Sequence, residues 1–122
     1  MARAHRVAVE VLAVLVLFQA VVAGQSLFGD WSIELHGYLG NGSFALGVVV
    51  AVLAVAAHLG RIQIIAAVAL STALFAQVGL GYAGRTVLGA ASLHIPMGVA
   101  IFGLIIFMMT VATMRGGHEA PN

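Results

Sequence analysis

The sequence predicts an all-α integral membrane protein, an up-down-up-down four-helix bundle built from two pseudo-repeated helical hairpins. Three observations predict this fold. Of the 122 residues, 62% are hydrophobic and only 7% are charged, whereas soluble domains carry about 25% charged residues. Four long apolar runs each approach the roughly 20 residues that a helix needs to cross a bilayer. Short polar motifs also recur 58 residues apart, which indicates an internal duplication.

The apolar runs predict four helices within a single transmembrane domain spanning residues 1–122. The expected helices lie at residues 7–28, 36–59, 62–82 and 93–114. The breaks between them are "GDWSIE", "GR" and "AGRTVLGAAS", and Ser92 in the third break is a candidate N-cap. Barrel strands would alternate apolar and polar residues over about ten positions, and these runs do not. The tail, residues 115–122, is expected to be disordered.

Composition also limits the chemistry. The sequence contains no cysteine, which excludes disulfides, thiolate metal sites and cysteine-linked heme. The net charge of +1 by itself says nothing about nucleic acid. Because the sequence has no basic patch, no nucleic-acid partner is expected. The lipid bilayer is the expected surrounding of the chain.

The five basic residues are all arginines, and their distribution predicts the orientation. Those expected on one side of the membrane are Arg3, Arg6, Arg61 and Arg115. Only Arg85 lies on the other side, with Asp30 and Glu34. The positive-inside rule then places both termini in the cytoplasm of a bacterial-type inner membrane. The first residues also resemble a signal peptide, ending in small residues near Ala23, but the duplication favours a retained first helix.

The duplication repeats a polar motif once in each hairpin. The motif is Gln–x16–His–x3–Gly, and its members are Gln19, His36 and Gly40, then Gln77, His94 and Gly98. Two hairpins in the same orientation pack about an axis along the membrane normal. Helices 2 and 4 are then diagonal, so that the two histidines face each other across the core at one depth.

Two imidazoles facing each other predict a single metal centre, with His36 and His94 as its ligands. A porphyrin iron held by one nitrogen from each side suits a membrane bundle, which predicts heme b as the cofactor. Gly40 and Gly98, one turn below the histidines, would leave room for a macrocycle. Two further contacts are expected. Gln19 and Gln77 would hydrogen-bond the ligand or an imidazole, and Arg85 would pair with a propionate.

Each of these residues also has a structural interpretation, which stays open from the sequence. A histidine at the start of a helix is often simply interfacial. Glycines serve close helix packing in membranes, and glutamines hydrogen-bond between helices. Arg85 is also suited to lipid phosphate. His5, His58 and His118 are expected at solvated ends, and a second heme between His5 and His58 is not favoured.

The stretches "ELHGYLGN" and "LHIPMG", which open the second and fourth helices, resemble one four-helix half of heme A synthase. Small uncharacterised four-helix bacterial membrane proteins show a similar pattern. The resemblance covers about residues 5–114 and implies that His36 and His94 are axial ligands of one b-type heme. The chain departs from that family in two respects. Only Glu34 stands near the position of the catalytic glutamate, and Gly37 follows His36 where the family often has arginine.

The sequence therefore predicts a small membrane b-type cytochrome that binds one heme near the outer face. Its expected role is electron transfer or heme handling rather than independent catalysis, since neither a hydrolytic constellation nor a nucleotide loop is present. A homodimer or a larger membrane complex is compatible with this role. The alternative is a cofactor-free accessory or assembly subunit of a larger complex. A small transporter is the weakest interpretation, because the spans lack paired charges.

Overall fold

The computed structural model describes the backbone of residues 1–116 and the side chains of residues 1–114. In this part of the chain the helices are α1 (Ala2–Phe28), α2 (Ile33–Ala56), α3 (Arg61–Ala83) and α4 (Leu88–Gly116). All four are long and apolar enough to cross a bilayer. The predicted all-α up-down four-helix bundle is confirmed, and the chain is a multi-pass membrane protein.

Connections of only four residues join the helices, at 29–32, 57–60 and 84–87. Such short connections make consecutive helices antiparallel neighbours. Each helix packs against the next, and α1 packs against α4, so that α2 and α4 are diagonal as predicted. We call the end that contains the first and third connections the histidine end. The opposite end, which contains the N-terminus and the second connection, is the terminal end.

Helix α2 begins three residues before its predicted start because Ser32 caps it. The Ser32 hydroxyl accepts a hydrogen bond from the Glu34 backbone N–H at 3.2 Å, which satisfies one of the free donors of the first turn. The helix ends at Ala56, earlier than the predicted residue 59, because the chain turns through His58. That residue has a φ of 50°, a left-handed conformation that stops a helix.

Helix α4 begins at Leu88, so the prediction that Ser92 is its N-cap was wrong. Ser92 lies inside the helix, and its hydroxyl donates to the Gly89 carbonyl at 2.9 Å. Pro96 consequently lies well inside the helix. Proline has no backbone N–H, so the Ser92 carbonyl loses its usual intrahelical partner.

The other helix ends also extend past their predicted limits. Helix α1 starts at Ala2 where the apolar run suggested residue 7, and α3 adds one residue at each end. Helix α4 continues to Gly116, which takes in the first two residues of the tail that was expected to be disordered. The rest of that tail, residues 117–122, lies outside the described residues.

The core repeats the duplication seen in the sequence. In helices α1 and α3, buried residues 58 positions apart form the pairs His5 and Gln63, Val9 and Ala67, and Leu12 and Leu70. In helices α2 and α4 the corresponding pairs are Ser43 and Ile101, Gly47 and Ile105, and Val50 and Met108. The same positions therefore face the core in both hairpins, as two copies of one hairpin related by a pseudo-twofold axis require.

Large apolar side chains cover the outside of the bundle. Phe28 is 92% exposed, Leu88 86%, and Val99 and Ile95 each 70%. A soluble protein does not leave apolar side chains so widely exposed, whereas lipid solvates them. The exterior is therefore the surface that meets the bilayer.

The terminal end buries a histidine that was expected to be solvated. The His5 side chain is only 4% exposed. Gln63, its counterpart 58 residues later, is 3% exposed. The Gln63 amide donates to the Met108 carbonyl at 3.0 Å, which ties α3 to α4. His58 is exposed, as expected, and His118 lies outside the described residues.

Candidate functional site

The structure brings His36 and His94 together across the bundle. Both side chains are half-buried at the histidine end, one near the start of α2 and the other in the second turn of α4. Their ring centroids are 5.9 Å apart, and the ring planes are inclined by 74°. Because α2 and α4 are diagonal, the two rings meet across the interior of the bundle.

Hydrogen bonds to Gln77 hold His94 in place. Its Nδ1 lies 3.1 Å from the Gln77 backbone carbonyl. A carbonyl oxygen only accepts, so Nδ1 carries the proton and Nε2 carries the lone pair. The Gln77 side-chain amide donates to the His94 carbonyl at 2.9 Å and lies 3.4 Å from Nε2. One glutamine thus fixes both the tautomer and the main chain of this histidine.

Glycine permits the close approach of α3 to α4 at this histidine. A Cβ on Gly98 would lie 3.1 Å from the Gln77 amide nitrogen. A Cβ on Gly81 would lie 3.0 Å from Cε1 of the His94 ring. Gly98 therefore exposes the His94 carbonyl to the glutamine, and Gly81 lets the imidazole lie against the backbone of α3.

In the first repeat, the glutamine side chain bonds to a serine and not to the histidine. The Gln19 amide donates to the Ser43 hydroxyl at 3.0 Å, and that hydroxyl donates to the Leu39 carbonyl at 2.8 Å. The main chain of Gln19 lies near the His36 imidazole. Nδ1 of His36 is nevertheless buried and has no hydrogen-bond partner among the described residues.

Arg85 lies at the mouth of the site, beside the helix that carries His36. Its guanidinium is 3.6 Å from the position of a Cβ on Gly37, the residue after His36. It also lies over the Tyr82 ring, 5.0 Å from the centroid, within the range of a cation–π contact. The Tyr82 hydroxyl in turn accepts a hydrogen bond from Asn41 at 2.9 Å. Arg85 itself is exposed, so its charge remains accessible to an anionic group.

The residues predicted to form the heme site all lie at the histidine end, but the two glycines have an unexpected neighbour. Gly40 faces the Gln19 side chain, 3.6 Å from the position of its Cβ, as Gly98 faces Gln77. The space beside each glycine is thus occupied by a glutamine of the neighbouring helix. In each repeat, the missing side chain of the glycine therefore leaves the space that the glutamine side chain occupies.

Sequence reasoning missed the parts played by Ser43 and Gly81. Ser43 lies seven residues after His36 on α2 and is completely buried. A signal was present, because a serine two turns after a histidine in an apolar run needs a polar partner. Gly81 follows Gln77 by one helical turn, which places both on one face of α3.

The donor set limits the metal chemistry. Within the described residues there is no group of three or more His, Cys, Asp or Glu side chains that could hold a metal ion. A protein-only zinc site needs three or four such ligands. Two imidazoles suffice only where another molecule supplies the remaining donors, as the four nitrogens of a porphyrin do.

Two polar atoms of the site are buried without partners in the described part of the chain. They are Nδ1 of His36 and the side-chain oxygen of Gln77. Buried polar atoms in native proteins nearly always have a hydrogen-bond partner. Each repeat therefore contains one buried polar atom that is still able to form a hydrogen bond.

Comparisons of the chain with protein-family models, with curated proteins and with solved structures found no match.

Proposed function

We propose that the chain is a small membrane b-type cytochrome in which His36 and His94 hold one heme. The observation that carries the proposal is the pair of imidazoles 5.9 Å apart on diagonal helices. The resemblance of the two histidine segments to one half of heme A synthase points the same way. Heme iron, when bound, supplies one-electron redox chemistry, so the proposed role is electron transfer or heme handling.

The separation of the rings supports a shared metal. An imidazole nitrogen binds a metal at about 2.1 Å, so two imidazoles on opposite sides of one ion have centroids roughly 6.5 Å apart. The observed 5.9 Å is close to this value. Since the protein offers two donors and no third among the described side chains, a macrocyclic iron fits better than a bare ion.

The neighbouring residues have distinct tasks in this proposal. The Gln77 carbonyl keeps the proton on Nδ1 of His94, which leaves Nε2 as the ligating atom. Coordination would replace only the long 3.4 Å contact of that atom with the Gln77 amide. Arg85 offers an exposed cation beside His36 for a propionate. The arginine distribution supports a position of this end at the outer face of a bacterial-type inner membrane.

Absorption spectra of histidine variants test the assignment. The full chain, expressed with heme supplied and purified in mild detergent, is expected to show sharp, resolved α and β bands after dithionite reduction. His36→Ala and His94→Ala should each lose this six-coordinate low-spin spectrum. His58→Ala is the matched control, since His58 lies exposed at the other end of the bundle. Unchanged spectra in both site variants would refute the assignment.

A cofactor-free accessory or assembly subunit is the second candidate. It is favoured by the bonds from Gln19 to Ser43 and from Gln77 to His94, which link neighbouring helices without any ligand. Such bonds stabilise membrane bundles on their own. A folded, purified chain without visible absorbance would support this function and direct the search to partners, as a homodimer or within a larger complex.

A further inference from the structure

The two repeats share the Gln–His–Gly motif but differ at many other positions, and two of these differences bear on how the histidines are held. Position 43 is serine, whereas its counterpart 58 residues later is Ile101. Position 81 is glycine, whereas its counterpart in the first repeat is Ala23. Both differences lie next to a histidine or its glutamine. They give the two imidazoles different surroundings.

Ser43 draws the first glutamine away from its histidine. Its hydroxyl accepts the Gln19 amide at 3.0 Å and is held by its own bond to the Leu39 carbonyl. Ser43 is completely buried, so water does not compete for these bonds. The side chain of Gln19 is thereby committed to a partner other than His36.

The second repeat lacks that competitor. Isoleucine at position 101 offers no hydrogen bond, so the Gln77 amide bonds to His94 instead. Gly81 adds to this by letting the His94 ring lie close to the α3 backbone. The residue at the equivalent position of the first repeat is Ala23, whose methyl group would not fit against a ring placed as closely as that of His94. His94 is thus restrained at Nδ1 and at its carbonyl, and its Cε1 lies close to the backbone of α3 at Gly81.

We propose that the two axial positions are inequivalent, with His94 the permanent ligand and His36 the exchangeable one, and that Ser43 sets this difference. The proposal rests on the proposed function. It assigns a binding site on the His36 side for a small neutral diatomic ligand of reduced heme, of which carbon monoxide is the probe. The Gln19 main chain lies near the His36 ring, but among the described residues Nδ1 makes no hydrogen bond like the one from His94 Nδ1 to the Gln77 carbonyl, so His36 is the less firmly held of the two rings.

Ser43 acts as a positioning residue, and two substitutions at this position test that role. Ser43→Ile copies the second repeat and releases Gln19 toward His36, where Gly40 leaves room as Gly98 does for Gln77. A restrained His36 competes better with carbon monoxide. One added hydrogen bond corresponds to about threefold to tenfold weaker binding of carbon monoxide. Ser43→Thr keeps the hydroxyl and serves as the control, with affinity close to the native value.

Carbon monoxide titration of the dithionite-reduced full chain in detergent is the first test. We expect the native chain to bind carbon monoxide, His36→Ala to bind it more tightly, and His94→Ala to lose heme or retain it poorly. Ser43→Ile should bind it more weakly than Ser43→Thr. Absence of carbon monoxide binding to a heme-loaded native chain, or equal behaviour of the two histidine variants, would overturn the proposal.

Nitrogen-15 NMR of the histidine rings in the heme-free chain provides a second readout. We expect one Nδ1-protonated tautomer for His94 and a mixture of tautomers for His36, with Ser43→Ile making the two rings alike. Matching tautomers in the native chain would overturn the asymmetry whether or not heme binds. A chain that never takes up heme would reject the proposed function and the exchangeable ligand together, and the NMR result would then apply to the asymmetry alone.

Discussion

At the scale of single residues, the glycines of the repeated motif show what spacing predicts and what it does not. Their spacing placed Gly40 and Gly98 one turn from the histidines on the inward side, as observed. The expected neighbour was a macrocycle, but the structure places Gln19 and Gln77 beside them. The spacing along one helix gives no information about which side chain of the next helix reaches that point. That depends on the rotation of both helices.

Substitution of the two glycines tests their role. Gly98→Ala should displace the Gln77 amide, because its Cβ would lie 3.1 Å from that nitrogen. We expect a loss of stability of about 1 kcal/mol, the worth of one hydrogen bond, and faster loss of heme. Gly40→Ala is the matched control, since its nearest contact, at 3.6 Å, is an ordinary one. Thermal unfolding in detergent measures the difference, and equal effects of the two variants would contradict this role.

At the scale of the helices, composition located all four spans, but local chemistry determined where they begin and end. Ser32 extends α2 toward its N-terminus, and the turn at His58 shortens its other end. The start of α4 was missed because the segment "VLGAAS" contains a glycine and a serine and precedes a proline. Those residues are typical of a loop, yet the bilayer leaves no unpaired backbone for such a loop. The helix therefore forms through them.

The packing of α2 against α3 depends on Gly47. A Cβ there would lie 2.5 Å from Cδ1 of Leu74 and 3.7 Å from Cα of Ser71. Leu74 is buried and has little room to move, so we expect Gly47→Ala to lower stability by about 1–3 kcal/mol through overpacking. Gly42→Ala, on the same helix with no atom within 4 Å of its Cβ among the described residues, should be neutral. Melting temperatures that fall equally for both variants would contradict a special role of Gly47 in the packing of α2 against α3.

At the scale of the whole molecule, the duplication was the most informative part of the sequence. It predicted that helices 2 and 4 are diagonal and that their histidines meet, and both are observed. It could not predict that the two histidines differ, because that difference comes from Ser43 and Gly81, outside the repeated motif. Nor could it predict that His5 is buried, since a position near a chain end is typical of a solvated residue.

Orientation is a property of the whole chain, and its lack of cysteine makes the test simple. Thr86→Cys introduces one thiol in the third connection, and His58→Cys introduces one in the second. A membrane-impermeant maleimide should label Thr86→Cys in intact bacterial cells, because the arginines favour the opposite end in the cytoplasm. His58→Cys should react only after the cells are permeabilised. The reverse pattern would place the histidine end inside the cell.

The central claim is that one heme is held by two histidines, and near-infrared magnetic circular dichroism of the oxidised full chain tests it most directly. The position of the charge-transfer band in this spectrum identifies both axial ligands at once. We expect the band of a low-spin heme with two imidazole ligands, and we expect it to be absent from His36→Ala and His94→Ala. A band of different ligation, or a purified chain that binds no heme at all, would contradict it.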